Sequence, residues 1–265
     1  MVSVLTRLAI SVVIAVSIAL LARRARALSV DGALAAAIIG TFALLAGWEW
    51  GVLLILYFAS SSALSRLGTD RKNARTRGII EKGGERDARQ VLANGALFAL
   101  AAALAVLAPQ HSSRWMALGA GALAESASDT WATEIGTLLG GTPRSFTTFA
   151  PIEAGMSGGV TTVGTIAAFA GAAFVAAVAS ALGWPMRIAM ASLVGGFVGS
   201  TLDSLLGATL QLRRRCDRCD SATERMTHDC GATTRRVGGF SWLGNDEVNL
   251  ICGAMGGLLA LAMAG

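Results

Sequence analysis

Eight long stretches of apolar sequence govern what this chain can fold into. They run at about 3–22, 30–47, 51–65, 90–108, 115–140, 158–183, 188–211 and 247–264. A helix needs about 20 apolar residues to cross a bilayer, so the pattern predicts an all-α, polytopic membrane bundle of about eight transmembrane helices. A soluble domain carries about a quarter charged residues; here the share is 15%, against 54% hydrophobic. Disorder, collagen and a secreted disulfide scaffold are excluded by the same figures. Aromatics make up 6% and glycines number 32, which favours close-packed small-residue helices over a barrel with aromatic girdles. The chain reads as one membrane domain over 1–265, with a basic loop at 66–89 and a Cys/His loop at 212–246.

The net charge of +5 is not a nucleic-acid footprint, because the basic residues fall in short segments between apolar stretches. The loops 23–29, 66–89, 141–157 and 212–246 hold 19 of the 22 Lys and Arg residues; Arg7, Arg114 and Arg187 are the other three. The positive-inside rule then makes those four loops cytoplasmic, with both termini outside and the protein in the cell's inner membrane. The first apolar run resembles a signal peptide, but Arg23, Arg24 and Arg26 directly after it favour a retained helix.

Acids lie where a membrane should have none. Glu125, Asp129 and Glu134 fall in the fifth apolar segment and Asp203 in the seventh. A charge at the bilayer centre costs ~3 kcal/mol on insertion scales, so acids without Lys or Arg partners in these segments mark a site. Ser126-x-x-Asp129-Thr130 and Ser200-x-x-Asp203-Ser204 align at an offset of 74 residues. Each forms a polar stripe on a helix, and a parallel duplication of a hairpin unit follows. Paired carboxylates with hydroxyls suit Mg²⁺, which takes one or two carboxylates and keeps positions for phosphate oxygens. Asp129 and Asp203 are the expected metal pair, joined by Glu125; Glu134 points about 140° away on the wheel, towards a neighbouring helix.

Two glycine-bearing loops precede helix starts. Lys82-Gly83-Gly84-Glu85-Arg86, followed by Gln90 and Asn94, and Ser157-Gly158-Gly159-Val160-Thr161 place backbone N–H groups where a phosphate could bind. Asn245 and Asp246 open the last segment at the same level. Neither loop matches the P-loop pattern. Attraction to anionic lipid headgroups accounts for most basic residues of 66–89; Lys82 and Arg86, beside the glycines, are read as phosphate ligands. In the other loop, Cys216, Cys219, His228 and Cys230 offer the four N/S ligands of a closed zinc site. Free thiols in a reducing cytoplasm are the alternative.

The runs Lys82–Gly95, Ser128–Gly136, Met156–Thr161 and Leu202–Gln211 together resemble the membrane family containing chloroplast phytyl-phosphate kinase, with which uncharacterised animal and prokaryotic transmembrane proteins are grouped. The resemblance extends from about residue 30 to the C-terminus and includes the Cys216–Cys230 loop and Trp242–Asp246. It implies phosphoryl transfer from a nucleoside triphosphate (CTP or another) to an isoprenyl monophosphate, giving the diphosphate. On that reading Asp129, Asp203, Lys82 and Arg86 are catalytic. Gly83, Gly84, Gln90, Asn94, Ser157, Gly158, Gly159, Thr161, Ser204, Asn245 and Asp246 line the phosphate site. A transporter or flippase for a lipid phosphate or ion suits duplicated hairpins and intramembrane acids equally well.

Overall fold

The computed structural model describes residues 4–79 and 84–265. Each predicted apolar segment coincides with a helix: α1 (Val4–Arg24), α2 (Val30–Ala46), α3 (Trp48–Arg66), α5 (Ala88–Leu107), α6 (Ser112–Leu139), α7 (Thr162–Ala181), α8 (Met186–Thr209) and α9 (Asn245–Ala264). Of these, α1, α5, α7, α8 and α9 are long and apolar enough to cross a membrane. α3 qualifies as a sixth together with the short α4 (Thr69–Arg75), from which it is bent by 68°. α2 has only 17 residues, and α6 carries the acids.

The helix starts follow local chemistry. Ser29 caps α2 by accepting from Gly32 N at 3.1 Å. Asp87 and Gln90 form a capping box on α5, and Thr161 caps α7 by accepting from Gly164 N at 2.9 Å. Such caps satisfy the donors that a first turn leaves open. Gly68, in the left-handed region at φ 64°, breaks α3 from α4.

The expectation of an all-α chain needs correcting. Loop 212–246 holds a three-stranded antiparallel sheet, order β4-β3-β5, from Arg213–Cys216 (β3), Ser221–Thr223 (β4) and Arg235–Gly238 (β5). A two-stranded sheet pairs Arg144–Ser145 (β1) with Gly159–Val160 (β2). The basic loop is likewise no plain loop, since α4 lies within it.

α6 is the axial helix, buried continuously from Ala117 to Ser128. Small residues let its neighbours come close, the usual way helices pack where lipid removes the hydrophobic drive. A Cβ on Gly121 would lie 2.5 Å from Ala260 Cβ of α9, and one on Gly199 of α8 would lie 2.7 Å from Glu125 Cγ. At one end of the bundle Trp50 packs between Phe98 and Trp184 with tilted rings, centroids at 5.2 and 4.9 Å. The basic segments gather at the other end, where Arg66 Nη2 donates to Ala25 O at 2.5 Å and Arg89 pairs with Glu247 at 2.5 Å. Loops 66–89 and 212–246 meet there directly: Glu224 N donates to Ile79 O at 3.0 Å and Thr223 Oγ1 to Gly78 O at 2.8 Å.

Candidate active site

Three carboxylates converge from α6 and α8. Glu125 is fully buried. Its Oε2 accepts from Ser126 Oγ at 3.4 Å, while Oε1 is buried with no hydrogen-bond partner. Gly199 of α8 and Gly253 of α9 face its side chain, and the missing Cβ atoms are what leave it room. One turn along, Asp129 is half-buried, and Asp203 of α8 lies across from it. With its amide assigned from its partners, Asn249 of α9 donates to Asp203 Oδ2 at 3.2 Å and to Asn245 O at 3.1 Å. The three acids are near enough to act on one another's charge. Among the described residues, no Lys or Arg forms an ion pair with any of them.

Glu134 departs from the expectation that the acids lack basic partners. Lys72 of α4, in the loop assigned to lipid headgroups, is buried and donates to Glu134 Oε2 at 2.5 Å. The same ammonium reaches Leu64 O at 2.9 Å and Ser65 O at 2.8 Å, and Ser65 Oγ donates to Glu134 Oε1 at 2.6 Å. This is a clamp closing the end of α3 on α6; Glu134 is near enough to act on the charge of Asp129, but its cationic partner distinguishes it from the trio.

Lys82 and Gly83 lie outside the described residues. Gly84 has φ 95°, and among the described residues other than its chain neighbours no atom lies within 4 Å of where its Cβ would be. Arg86 pairs its backbone with Ala27 and Ser29 (both 3.1 Å), which ties the loop to the start of α2. Its guanidinium turns inwards, lying 5.7 Å over the Phe58 ring and within 3.4 and 3.3 Å of Ser62 Oγ and Ser65 Oγ. Among the described residues it meets no carboxylate. The first turn of α5 is no open anion cradle, however. Ala88 N donates to Asp31 Oδ2 at 3.1 Å and Gln90 N to Asp87 Oδ1 at 2.9 Å. Gln90 Oε1 closes the capping box and Asn94 Nδ2 donates to Gln90 O at 2.9 Å.

The second glycine loop is likewise engaged. Ser157 donates to Glu224 Oε1 through its N (2.9 Å) and its Oγ (2.5 Å), and Gln211 Nε2 donates to Ser157 Oγ at 2.6 Å. A Cβ on Gly158 would meet Ala208 N at 2.3 Å, so this glycine serves a backbone crossing against α8. Gly159 belongs to β2 and Thr161 is the α7 cap. Ser204 Oγ turns back to Ser200 O at 3.4 Å. Asp246 lies 3.8 Å from Arg89 Nε, and the Asn245 carbonyl is taken by Asn249.

The cysteine loop comes together as the spacing predicts. The ligand atoms of Cys216, Cys219, His228 and Cys230 all lie within 4.8 Å of one another, the only group of three or more His, Cys, Asp or Glu among the described residues that could hold a metal ion. Cys216 Sγ and Cys230 Sγ are 3.6 Å apart. A backbone hydrogen bond at Ala232, and then His228, bring the Cys230 thiol down to about 6. The hydrogen bond to Cys230 pushes the Cys219 thiol up to about 11.

Sequence reasoning missed Tyr57, Lys72 and Glu224. Tyr57 of α3 is buried beside Thr130 of α6. Its one available signal is that it is the chain's single tyrosine. Lys72 and Glu224 sit among many loop charges and carry no distinguishing spacing.

Fold and site together define a polytopic helical membrane protein with buried and half-buried carboxylates converging in its bundle. The chain belongs to the integral membrane protein family DUF92, whose model matches residues 13–257. It is 30% identical to Protein PGR of Arabidopsis thaliana, over 92% of each chain. It is 29% identical to the uncharacterised membrane protein MJ0933 of Methanocaldococcus jannaschii, over 97% of this chain and 94% of that one. Protein VTE6, chloroplastic, of Arabidopsis thaliana is 28% identical over 89% of this chain and 65% of its own length. No solved structure matches.

Proposed function

We propose that this protein is a membrane-embedded kinase that moves a phosphoryl group from a nucleoside triphosphate to an isoprenyl monophosphate. The observation that carries the reading is the trio Glu125, Asp129 and Asp203: buried or half-buried, without a cationic partner among the described residues, and with Glu125 Oε1 unmatched there. Such a cluster is costly in a membrane and becomes favourable around a divalent cation. An all-oxygen donor set is the hard kind that Mg²⁺ takes, so the residues fit that ion. Bound there, Mg²⁺ would neutralise the charge of the donor phosphates. Asp129 and Asp203 would hold it, with Asn249 orienting Asp203. Arg86 supplies positive charge to the acceptor phosphate. That phosphate is itself the nucleophile: its oxygen bonds to the γ-phosphorus, the bond to the leaving diphosphate breaks, and no strong general base is needed. Membership of the family that the motifs resemble, with its phytyl-phosphate kinase, supports the same chemistry.

On this reading all eight long helices cross the inner membrane, the basic end faces the cytoplasm and both termini lie outside. α7 begins 74 residues after α5 (162 against 88) and α8 74 after α6 (186 against 112), the spacing of Asp129 and Asp203, as a duplicated hairpin requires. Cys216, Cys219, His228 and Cys230 would hold a structural zinc, which would pin the ribbon that holds Glu224 against Ser157.

The test is purified protein in lipid vesicles with Mg²⁺, geranylgeranyl monophosphate and each nucleoside triphosphate in turn, with diphosphate read by mass spectrometry. Mg²⁺-dependent diphosphate is the expected result. No diphosphate with any nucleotide, together with nucleotide-free flux of the lipid phosphate, would make the protein a transporter instead.

A further inference from the structure

The apolar helix α3 ends in a run of serines, Ser60-Ser61-Ser62, followed by Ser65. Ser62 and Ser65 stand three residues apart, so their hydroxyls share one helix face. That face meets Arg86, whose Nη1 and Nη2 donate to Ser62 Oγ at 3.4 Å and Ser65 Oγ at 3.3 Å. Ser65 Oγ in turn donates to Glu134 Oε1 at 2.6 Å, and Lys72 Nζ donates to Oε2 at 2.5 Å. The chain of contacts runs Arg86, Ser65, Glu134, Lys72, and a single hydroxyl bridges the guanidinium and the carboxylate. An unmatched carboxylate so near would draw Arg86 onto itself, because a guanidinium pairs with it through bidentate, charge-assisted bonds. Yet among the described residues Arg86 makes no ion pair. Lys72 accounts for this. Its ammonium is fixed by Leu64 O at 2.9 Å and Ser65 O at 2.8 Å, and it neutralises Glu134. The serine contacts use two of the five N–H donors of a guanidinium. Arg86 also lines a cavity together with Thr130, the residue after Asp129 in α6.

Resting on the proposed place of Arg86 at the acceptor phosphate, we infer that Lys72 is a positioning residue: by neutralising Glu134 it keeps the Arg86 guanidinium available to that phosphate. Without the ammonium, Glu134 becomes an anion that competes with the substrate from inside the protein. Arg86 then moves past Ser65 onto Glu134, and the acceptor loses its cation. The clamp therefore serves binding as well as stability, and the two can be separated. α4 does not depend on Lys72 alone for its place, since Arg75 Nη1 donates to Thr137 O at 2.7 Å and Nη2 to Gly141 O. Glu134→Gln, added to the loss of Lys72, removes the competing charge but gives the two α3 carbonyls no new donor. Binding should then recover where stability does not, which a purely structural clamp does not allow.

The full chain is purified in detergent, and radiolabelled geranylgeranyl monophosphate and geranylgeraniol are titrated onto wild type, Lys72→Met, Lys72→Gln, Arg86→Gln and the double variant Lys72→Met with Glu134→Gln. Unfolding temperatures are measured alongside. Lys72→Met should weaken the monophosphate about tenfold, the size of one hydrogen bond to a charged group, and leave the alcohol unchanged. Lys72→Gln keeps a donor for the α3 carbonyls but not the charge; it should show the same loss, and it carries the test if Lys72→Met does not fold. The double variant should regain near wild-type affinity for the monophosphate while its unfolding temperature stays low. A double variant that binds no better than Lys72→Met would overturn the inference and leave Lys72 a structural clamp. So would wild-type affinity in both single Lys72 variants, or in Arg86→Gln. In each of these cases diphosphate formed by the wild type would leave the kinase standing. Affinity lost in Lys72→Met and regained in the double variant, without turnover on any nucleotide, would keep the inference and overturn the kinase. A wild type that does not bind the monophosphate would overturn both.

Discussion

At the residue scale, Asp129 and Asp203 were legible because an ionised side chain in an apolar run is costly enough to need a reason. If they share one metal ion, Asp129→Asn and Asp203→Asn should each lower kcat about a hundredfold or more, with folded, membrane-inserted protein. The double variant should lose little beyond either single one, since groups acting as a unit are non-additive. Turnover with Mg²⁺ titrated for each variant decides it; near-normal rates with unchanged Mg²⁺ dependence in either would remove the pair from the site. Glu134 belongs to a different argument. Its place on the wheel set it apart, but its partner was hidden, because Lys72 is one of eight basic residues in 66–89 and only the turn at Gly68 carries it to α6. Lys72→Met should therefore act on stability. It orphans two α3 carbonyls and a carboxylate, a loss of about 1–3 kcal/mol, read as a lower unfolding temperature while the KM for nucleotide stays the same.

At the element scale, long apolar runs fixed the helices to within four residues, because burial and length both demand them. The sheet of 213–238 escaped notice. Its strands have three or four residues, and Arg213-Arg214-Arg215 and Arg235-Arg236 read as charge rather than as an alternating face. The phosphate role expected of both glycine loops rested on free first-turn donors, and acids two helices or a loop away, Asp31 and Glu224, occupy donors at both sites. Gly158 then has a packing role that can be measured. Gly158→Ala adds a left-handed strain (φ 76°) to a contact with Ala208. Gly141→Ala adds the strain alone (φ 71°) in open space. The second should cost ~1–2 kcal/mol and the first clearly more, which thermal unfolding of the two variants compares directly. The ribbon makes its own prediction. Metal analysis should find about one zinc per chain, lost in Cys219→Ser, and the loss should expose loop 212–246 to proteolysis while α5–α9 stay protected. Fully ribbon-protected protein without zinc would return the four side chains to ordinary thiols and imidazole.

For the whole molecule, the charge split and the packing reach one conclusion by independent routes. The uneven distribution of Lys and Arg sorts the loops into two sets, and hydrogen bonds such as Glu224 N to Ile79 O place 66–89 and 212–246 on the same end. The kinase depends on which side of the membrane that end faces, because nucleoside triphosphate is supplied from the cytoplasm. Arg77→Cys and Arg236→Cys replace exposed basic-end residues, and Gln110→Cys replaces an exposed residue of the turn between α5 and α6 at the opposite end. With the native cysteines kept, so that the ribbon is intact, labelled peptides can be identified by mass spectrometry. In intact cells an impermeant maleimide should label the Gln110 position, and the Arg77 and Arg236 positions only after permeabilisation, as the positive-inside rule requires. The reverse pattern would turn the carboxylates and Arg86 towards a compartment without nucleotide. The same bundle and acids would then have to serve the movement of a lipid phosphate rather than its phosphorylation.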